Sequence, residues 1–90
     1  MDTQRLDIWL FRTRLIKTRA LAARLIRTGR VRITRNGTCE RVLKPHKKVR
    51  PTDVITFMRE RSLINIEVLS HPDRRGPAPE ARTHYQQHDA

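Results

Sequence analysis

The chain has 90 residues, 20 Lys and Arg against 9 Asp and Glu, and a formal net charge of +11. That length bounds it to one domain with a small core, since a domain of this size buries only about 60 to 65% of its unfolded surface. The single cysteine, Cys39, excludes an intramolecular disulfide, and the charges between Met1 and Arg14 leave no apolar stretch for a signal peptide or a membrane span, so a cytoplasmic protein is expected.

The charge is uneven. Fifteen of the twenty cations and only three acids (Asp2, Asp7 and Glu40) fall in the first fifty positions, a net of +12 against −1 for the remainder. A field of one sign over one region concentrates and steers a polyanion, which makes nucleic acid the first candidate partner.

From Arg5 to Arg14, Leu6 and Leu10 lie one turn apart beside Trp9 and Thr13, which predicts a first helix. Asp2 or Thr3 is expected at its N-cap, with Asp7 in the first turn where a carboxylate suits the dipole and can pair with a neighbouring Arg. Arg5 and Arg12 share a face away from the Leu6 and Leu10 seam and are expected to meet solvent or a ligand.

Thr18 predicts the N-cap of a second helix over Arg19 to Thr28, and Gly29 stands where a left-handed residue ends it. Leu21, Ala22, Leu25 and Ile26 make an expected core arc, with Arg24 and Arg27 opposite.

Beyond Gly29 the period becomes two. Val31 and Ile33 alternate with Arg30, Arg32 and Thr34 as in a half-buried strand, and Asn36-Gly37 predicts a type I′ hairpin that sets Val31 opposite Val42. Cys39 is expected as a small half-buried strand residue. Pro51-Thr52-Asp53 introduces a third strand, Val54 to Arg59, and a fourth runs from Leu63 to Leu69.

The segment from His71 to Pro79 is rich in Pro and Gly and offers little to bury. Residues 71–90 are therefore expected as a flexible or loosely docked tail behind a domain at 1–70. Within the tail, Glu80 to Gln87 can add a helical turn or two that docks through Ala81 and Tyr85. The predicted class is α+β, an αα-hairpin packed on a small, mainly antiparallel four-stranded sheet.

The candidate binding residues are Arg5, Arg12, Lys17, Thr18, Arg19, Arg24, Arg27, Arg30 and Arg32, joined by Lys44 and Lys47 if the Lys44-Pro45-His46-Lys47-Lys48 loop folds back toward the second helix. Arg supplies bidentate geometry that fits phosphate oxygens, and the amides at Thr18 and Arg19 add donors at a helix N-terminus. Trp9, Phe11, Phe57 and Tyr85 are the only rings, which favours recognition of phosphate geometry and folded shape over base-by-base stacking. His84 and His88 at i, i+4 are weak grounds for a metal, and no nucleotide loop or nucleophile arrangement is present. No cofactor, no metal and no catalysis are expected.

Arg5-Leu6-Asp7-Ile8-Trp9-Leu10, Lys17-Thr18-Arg19-Ala20-Leu21-Ala22, Gly29-Arg30-Val31-Arg32-Ile33, Lys44-Pro45 and Val49 to Phe57 resemble the S-four RNA-binding domain. Arg74-Arg75-Gly76-Pro77-Ala78-Pro79-Glu80-Ala81 with Tyr85 is similar to the tail of its ribosome-associated heat-shock branch. The resemblance implies an αα-hairpin and small sheet that bind structured ribosomal RNA. It also implies the large ribosomal subunit as partner, in the recycling of stalled subunits under stress. By position it makes Arg5, Thr18, Arg19, Arg24, Gly29 and Lys44 RNA-facing or RNA-positioning; Arg12, Lys17, Arg27, Arg30, Arg32 and Lys47 join on electrostatic grounds. Ile8 stands where that family commonly has Lys, the hairpin between Ile33 and Val42 is longer than its short turn, and the longer C-terminal extension of some relatives is absent.

Three other readings compete. A DNA-binding helix-turn-helix would use the basic second helix, yet Lys17 and Arg19 offer phosphate ligands and no Asn or Gln reader of adenine stands there. An RNA-binding subunit of an RNA-modifying enzyme is the second. Binding to a membrane surface is disfavoured, because the apolar arc of the second helix is needed for the core. A monomer is expected.

Overall fold

In the computed structural model, which describes residues 3–88, two helices and five antiparallel strands share one core. The chain enters through a two-residue strand β1 (Gln4–Arg5), which pairs with β4 (Lys48–Val49). Helix α1 (Leu6–Arg12) follows at once. Arg5 occupies its N-cap without a capping side chain, because the loop before β4 does that work: Leu6 N donates to Lys47 O at 2.8 Å and Asp7 N to Pro45 O at 3.2 Å. Thr3 therefore does not cap the helix, and Asp2 lies outside the described residues. Arg14 adopts φ +63°, which ends α1 two residues short of the expected Arg14 boundary.

Helix α2 (Arg19–Arg27) begins as expected, with Thr18 Oγ1 accepting from Leu21 N at 3.0 Å. Gly29 ends it at φ +75°, a left-handed conformation that calls for glycine. The core-facing residues of α2 are Ala22, Ala23 and Ile26. Leu21 is 48% exposed, which corrects the expected arc at that position, whereas Leu25 is half-buried and packed against the core.

The main sheet runs β3-β2-β5-β6-β7, with β2 (Val31–Arg35), β3 (Thr38–Val42), β5 (Val54–Arg59), β6 (Ser62–Val68) and β7 (Tyr85–Gln87). Asn36 and Gly37 take φ +52° and +79°, and Val31 pairs with Val42, so the turn chemistry fixed the register. Ile33, Ile55 and Ile66 align across three strands on the face that meets Leu6, Trp9, Leu10 and Ile26. Cys39 is exposed rather than half-buried, since it pairs with Thr34 on the outer side of an edge strand.

The segment after Leu69 packs on the body. Trp9 Nε1 donates to Ser70 O at 2.9 Å, Gln4 Nε2 and Arg12 Nη1 both donate to Pro72 O, and Arg14 Nε donates to Gly76 O at 2.6 Å. A short helix α3 (Ala78–Ala81) and a 3-10 turn (Arg82–His84) lead into β7, which gives the main sheet five strands in place of the expected four. Ala81 is buried, and Tyr85 meets the Trp9 ring edge-on at 6.4 Å, so both dock as expected although Tyr85 is extended, not helical.

Candidate nucleic-acid interface

The N-termini of α1 and α2 meet at one buried carboxylate. Asp7, 2% exposed, accepts from Arg5 Nε at 3.1 Å, from Arg5 Nη2 at 2.9 Å and from the Ile8 amide at 2.8 Å, and Arg19 Nε stands 3.5 Å away. Arg5 and Arg19 keep much of their side chains in solvent, so one acid orients two outward guanidinium groups that together retain a net +1. Thr18 adjoins them as the α2 cap.

The Lys44 to Lys48 loop reaches this place through its backbone, the Pro45 and Lys47 carbonyls that cap α1. Lys44 is exposed, while Lys47 is half-buried with its Nζ 3.7 Å from Glu40. The loop thus meets the interface at the start of α1, through its backbone carbonyls.

Further along α2, Arg24 and Arg27 are exposed and make no ion pair among the described residues. Arg24 shares a groove with Leu21, Leu25, Thr28 and Arg30. Arg32 lies on the outer face of the sheet, directly opposite Arg41. Like charges facing each other across strands destabilise a sheet, so this pair is a local electrostatic cost that a polyanion would relieve. Arg41 was not among the expected residues. Its signal was the register itself, since an Asn36-Gly37 turn forces it opposite Arg32.

One expected residue is drawn elsewhere. Arg12 is half-buried and spends Nη1 on Pro72 O at 3.0 Å, because the tail carbonyls lie along its side of α1. Lys17 is exposed beside Leu15 and Ile16 in the connection between the helices, and its carbonyl accepts from Arg75. His84 and His88 do not converge: His84 Nδ1 lies 2.7 Å from Ser70 Oγ and His88 Nε2 lies 3.0 Å from Glu67 Oε1. Among the described residues no group of three metal-ligating side chains gathers, and no helix is long and apolar enough to cross a membrane.

The S4 domain family model matches residues 4–55, a span that holds β1, both basic helices, the β2–β3 hairpin and the capping loop. Among solved structures, the trimeric Heat Shock Protein 15 of Vibrio cholerae is similar to this chain, with a TM-score of 0.83 and 33% sequence identity over 97% of this chain and 83% of that one. No curated protein matches the sequence. Matched by that model over more than half its length, and sharing with that structure the fold that brings Arg5, Asp7 and Arg19 together, the chain belongs to the S4 domain family.

Proposed function

We propose that this S4 domain is a non-enzymatic module that binds structured RNA, with ribosomal RNA of the large subunit as its target in a stress response or in recycling of stalled subunits. The family is one of RNA-binding domains, and the ribosomal and stress roles extend to this chain what its likeness to a heat-shock protein suggests. The observation that carries the reading is the shared Asp7 hub. A carboxylate almost sealed from solvent holds Arg5 of β1 and Arg19 of α2 outward while leaving them in net positive charge. Two guanidinium groups ordered in this way, with the exposed Arg24, Arg27 and Arg30 along and just after α2, suit the phosphates of folded RNA.

The test has two arms. Labelled large-subunit ribosomal RNA fragments and a DNA duplex of equal length are titrated across a salt series, and lysate is sedimented on a gradient. Expected are tighter binding to folded RNA, a linear fall of log affinity with log salt, and migration with the large subunit. Equal affinity for the DNA duplex would return the helix-turn-helix reading; co-purification with a catalytic chain instead of the subunit would favour the modifying-enzyme reading. One copy per RNA site is the proposed stoichiometry, and three copies per site would overturn it.

A further inference from the structure

On α2, Leu21, Arg24, Leu25 and Thr28 follow the i, i+3, i+4, i+7 spacing of a single helical face, and with Arg30 they line a shallow groove of about 290 Å³. The floor is apolar and the walls are cationic. Leu21 is 48% exposed, Leu25 is half-buried against the core, and no carboxylate lines the groove. The Thr28 hydroxyl donates to Leu25 O at 2.9 Å, so it is engaged within the helix. A lone exposed leucine needs no account, but this one sits amid the cations of the proposed interface, one turn from a second leucine, while two alanines and Ile26 make the helix's core contact.

We propose that Leu21 and Leu25 form the seat of a single unpaired base of the bound RNA, with Arg24 and Arg30 holding the phosphates on either side of it. This rests on the RNA-binding reading and adds a discrimination to it: a preference for RNA that can present an extruded nucleotide over uninterrupted duplex. The size suits one planar ring, since the groove falls at the lower limit of small-molecule sites. Charge selects the class of occupant. A second copy of this +11 chain would bring its own arginines against Arg24 and Arg30, whereas an extruded base offers an uncharged flat face joined at each side to an anion. Leucine gives less contact than an aromatic platform, so it supplies a preference for an unpaired base without strong choice among the four.

The experiment uses the full chain and three probes: an RNA stem-loop with one bulged nucleotide, the same RNA with an abasic ribose at the bulge, and the same stem without the bulge. The wild type is expected to bind the bulged RNA about five- to tenfold more tightly than the other two, the gain expected from covering about half of a leucine side chain. Leu21→Ser, an exposed change that leaves Ala22, Ala23 and Ile26 in place, is expected to erase that preference and leave the salt slope as it was. Leu21→Phe is expected to enlarge the preference. Arg24→Ala is expected to reduce the slope by about one.

Equal binding of all three probes by the wild type would overturn the base seat while leaving RNA binding in place; binding to none would remove both. A preference that survives Leu21→Ser would also overturn it. So would a Leu21→Ser protein that keeps its RNA affinities but changes its sedimentation mass, because the strip would then be a contact between copies.

Discussion

Arg19 Nε, in the first turn of α2, lies 3.5 Å from the Oδ2 of Asp7, in the first turn of α1, and the same oxygen accepts from Arg5 Nη2 at 2.9 Å. One acid therefore sets the direction of two arginines that arrive from different elements. Asp7→Asn keeps the shape and removes the charge. Its expected cost to stability is about 1–3 kcal/mol, moderated because both arginines reach solvent. Binding separates two roles for the carboxylate. If it only neutralised charge, the variant would bind RNA more tightly; as an orienting group its loss leaves two side chains to be ordered at binding, and affinity is expected to fall about tenfold. Urea melts and RNA titrations of the same preparations check both effects.

Arg32 and Arg41 face each other across β2 and β3. Arg41→Thr removes a like-charge pair from a strand position that suits Thr, so stability is expected to rise by about 0.2–1 kcal/mol. RNA affinity is expected to fall, with the salt slope shallower by about 0.9 if Arg41 meets one phosphate. A variant that is more stable and binds as well as the parent would remove Arg41 from the interface.

Asp53 closes the junction before β5. Its carboxylate, 2% exposed, accepts from Arg35 Nε at 2.8 Å, Arg35 Nη2 at 2.7 Å and the Arg50 amide at 2.8 Å. Burial alone would raise the carboxyl, but the Arg35 and Arg50 hydrogen bonds and the charges of both arginines outweigh it and hold it below its ordinary 3.8. A depressed carboxyl contributes stability that is complete above that unfolded-state value and is lost as pH falls through the lower folded-state one. Acid titration of the melting temperature is therefore expected to show a fall that begins near pH 3.8. Asp53→Asn should lack that component and lose about 2–4 kcal/mol at neutral pH.

What the sequence disclosed follows from how local each signal is. Thr18 and Gly29 bound α2 because a cap and a left-handed stop act within a few residues, and Asn36-Gly37 set Val31 opposite Val42 because a two-residue turn leaves one register. Asp7 could be assigned an arginine partner from the first turn, but that it takes two depends on how the helices cross. The exposure of Leu21 was hidden because it is as apolar as a core residue, while the small Ala22 and Ala23 take the buried side with Ile26. The tail contacts run through the carbonyls of Ser70, Pro72 and Gly76, and a backbone acceptor leaves no mark in a side-chain pattern. The partner of Arg12 is hidden for the same reason, being a carbonyl sixty residues away.

The β5–β6 hairpin turns on Glu60 and Arg61 at φ +49° and +69°, two side-chain-bearing residues in left-handed backbone. Such positions cost of order 1 kcal/mol each, and Asn-Gly is the pair that tolerates them. Replacing Glu60-Arg61 with Asn-Gly is expected to stabilise the domain by about 1–2 kcal/mol, since the strands on either side already pair through Arg59 and Ser62. No gain in a urea melt would show that contacts made by the two native side chains offset the strain.

Arg75 holds the connection between the helices. Its guanidinium lies 4.9 Å over the Phe11 ring, its Nε donates to Phe11 O at 3.1 Å, and its Nη2 donates to Lys17 O at 3.4 Å, one residue before the Thr18 cap. It thereby adds a donor to a carbonyl in the last turn of α1 that already accepts from Arg14 N, at the helix end where a cation suits the dipole. Arg75→Ala is expected to cost about 1–2 kcal/mol, from the lost ring contact and hydrogen bonds. Arg75→Lys keeps the charge without the planar fork and should recover less than half of it. Hydrogen exchange distinguishes a clamp from general stabilisation: amides of residues 13–18 are expected to exchange faster in Arg75→Ala, while those of β5 and β6 follow only the change in global stability. A uniform acceleration would mean that Arg75 stabilises the whole domain without holding this connection in particular.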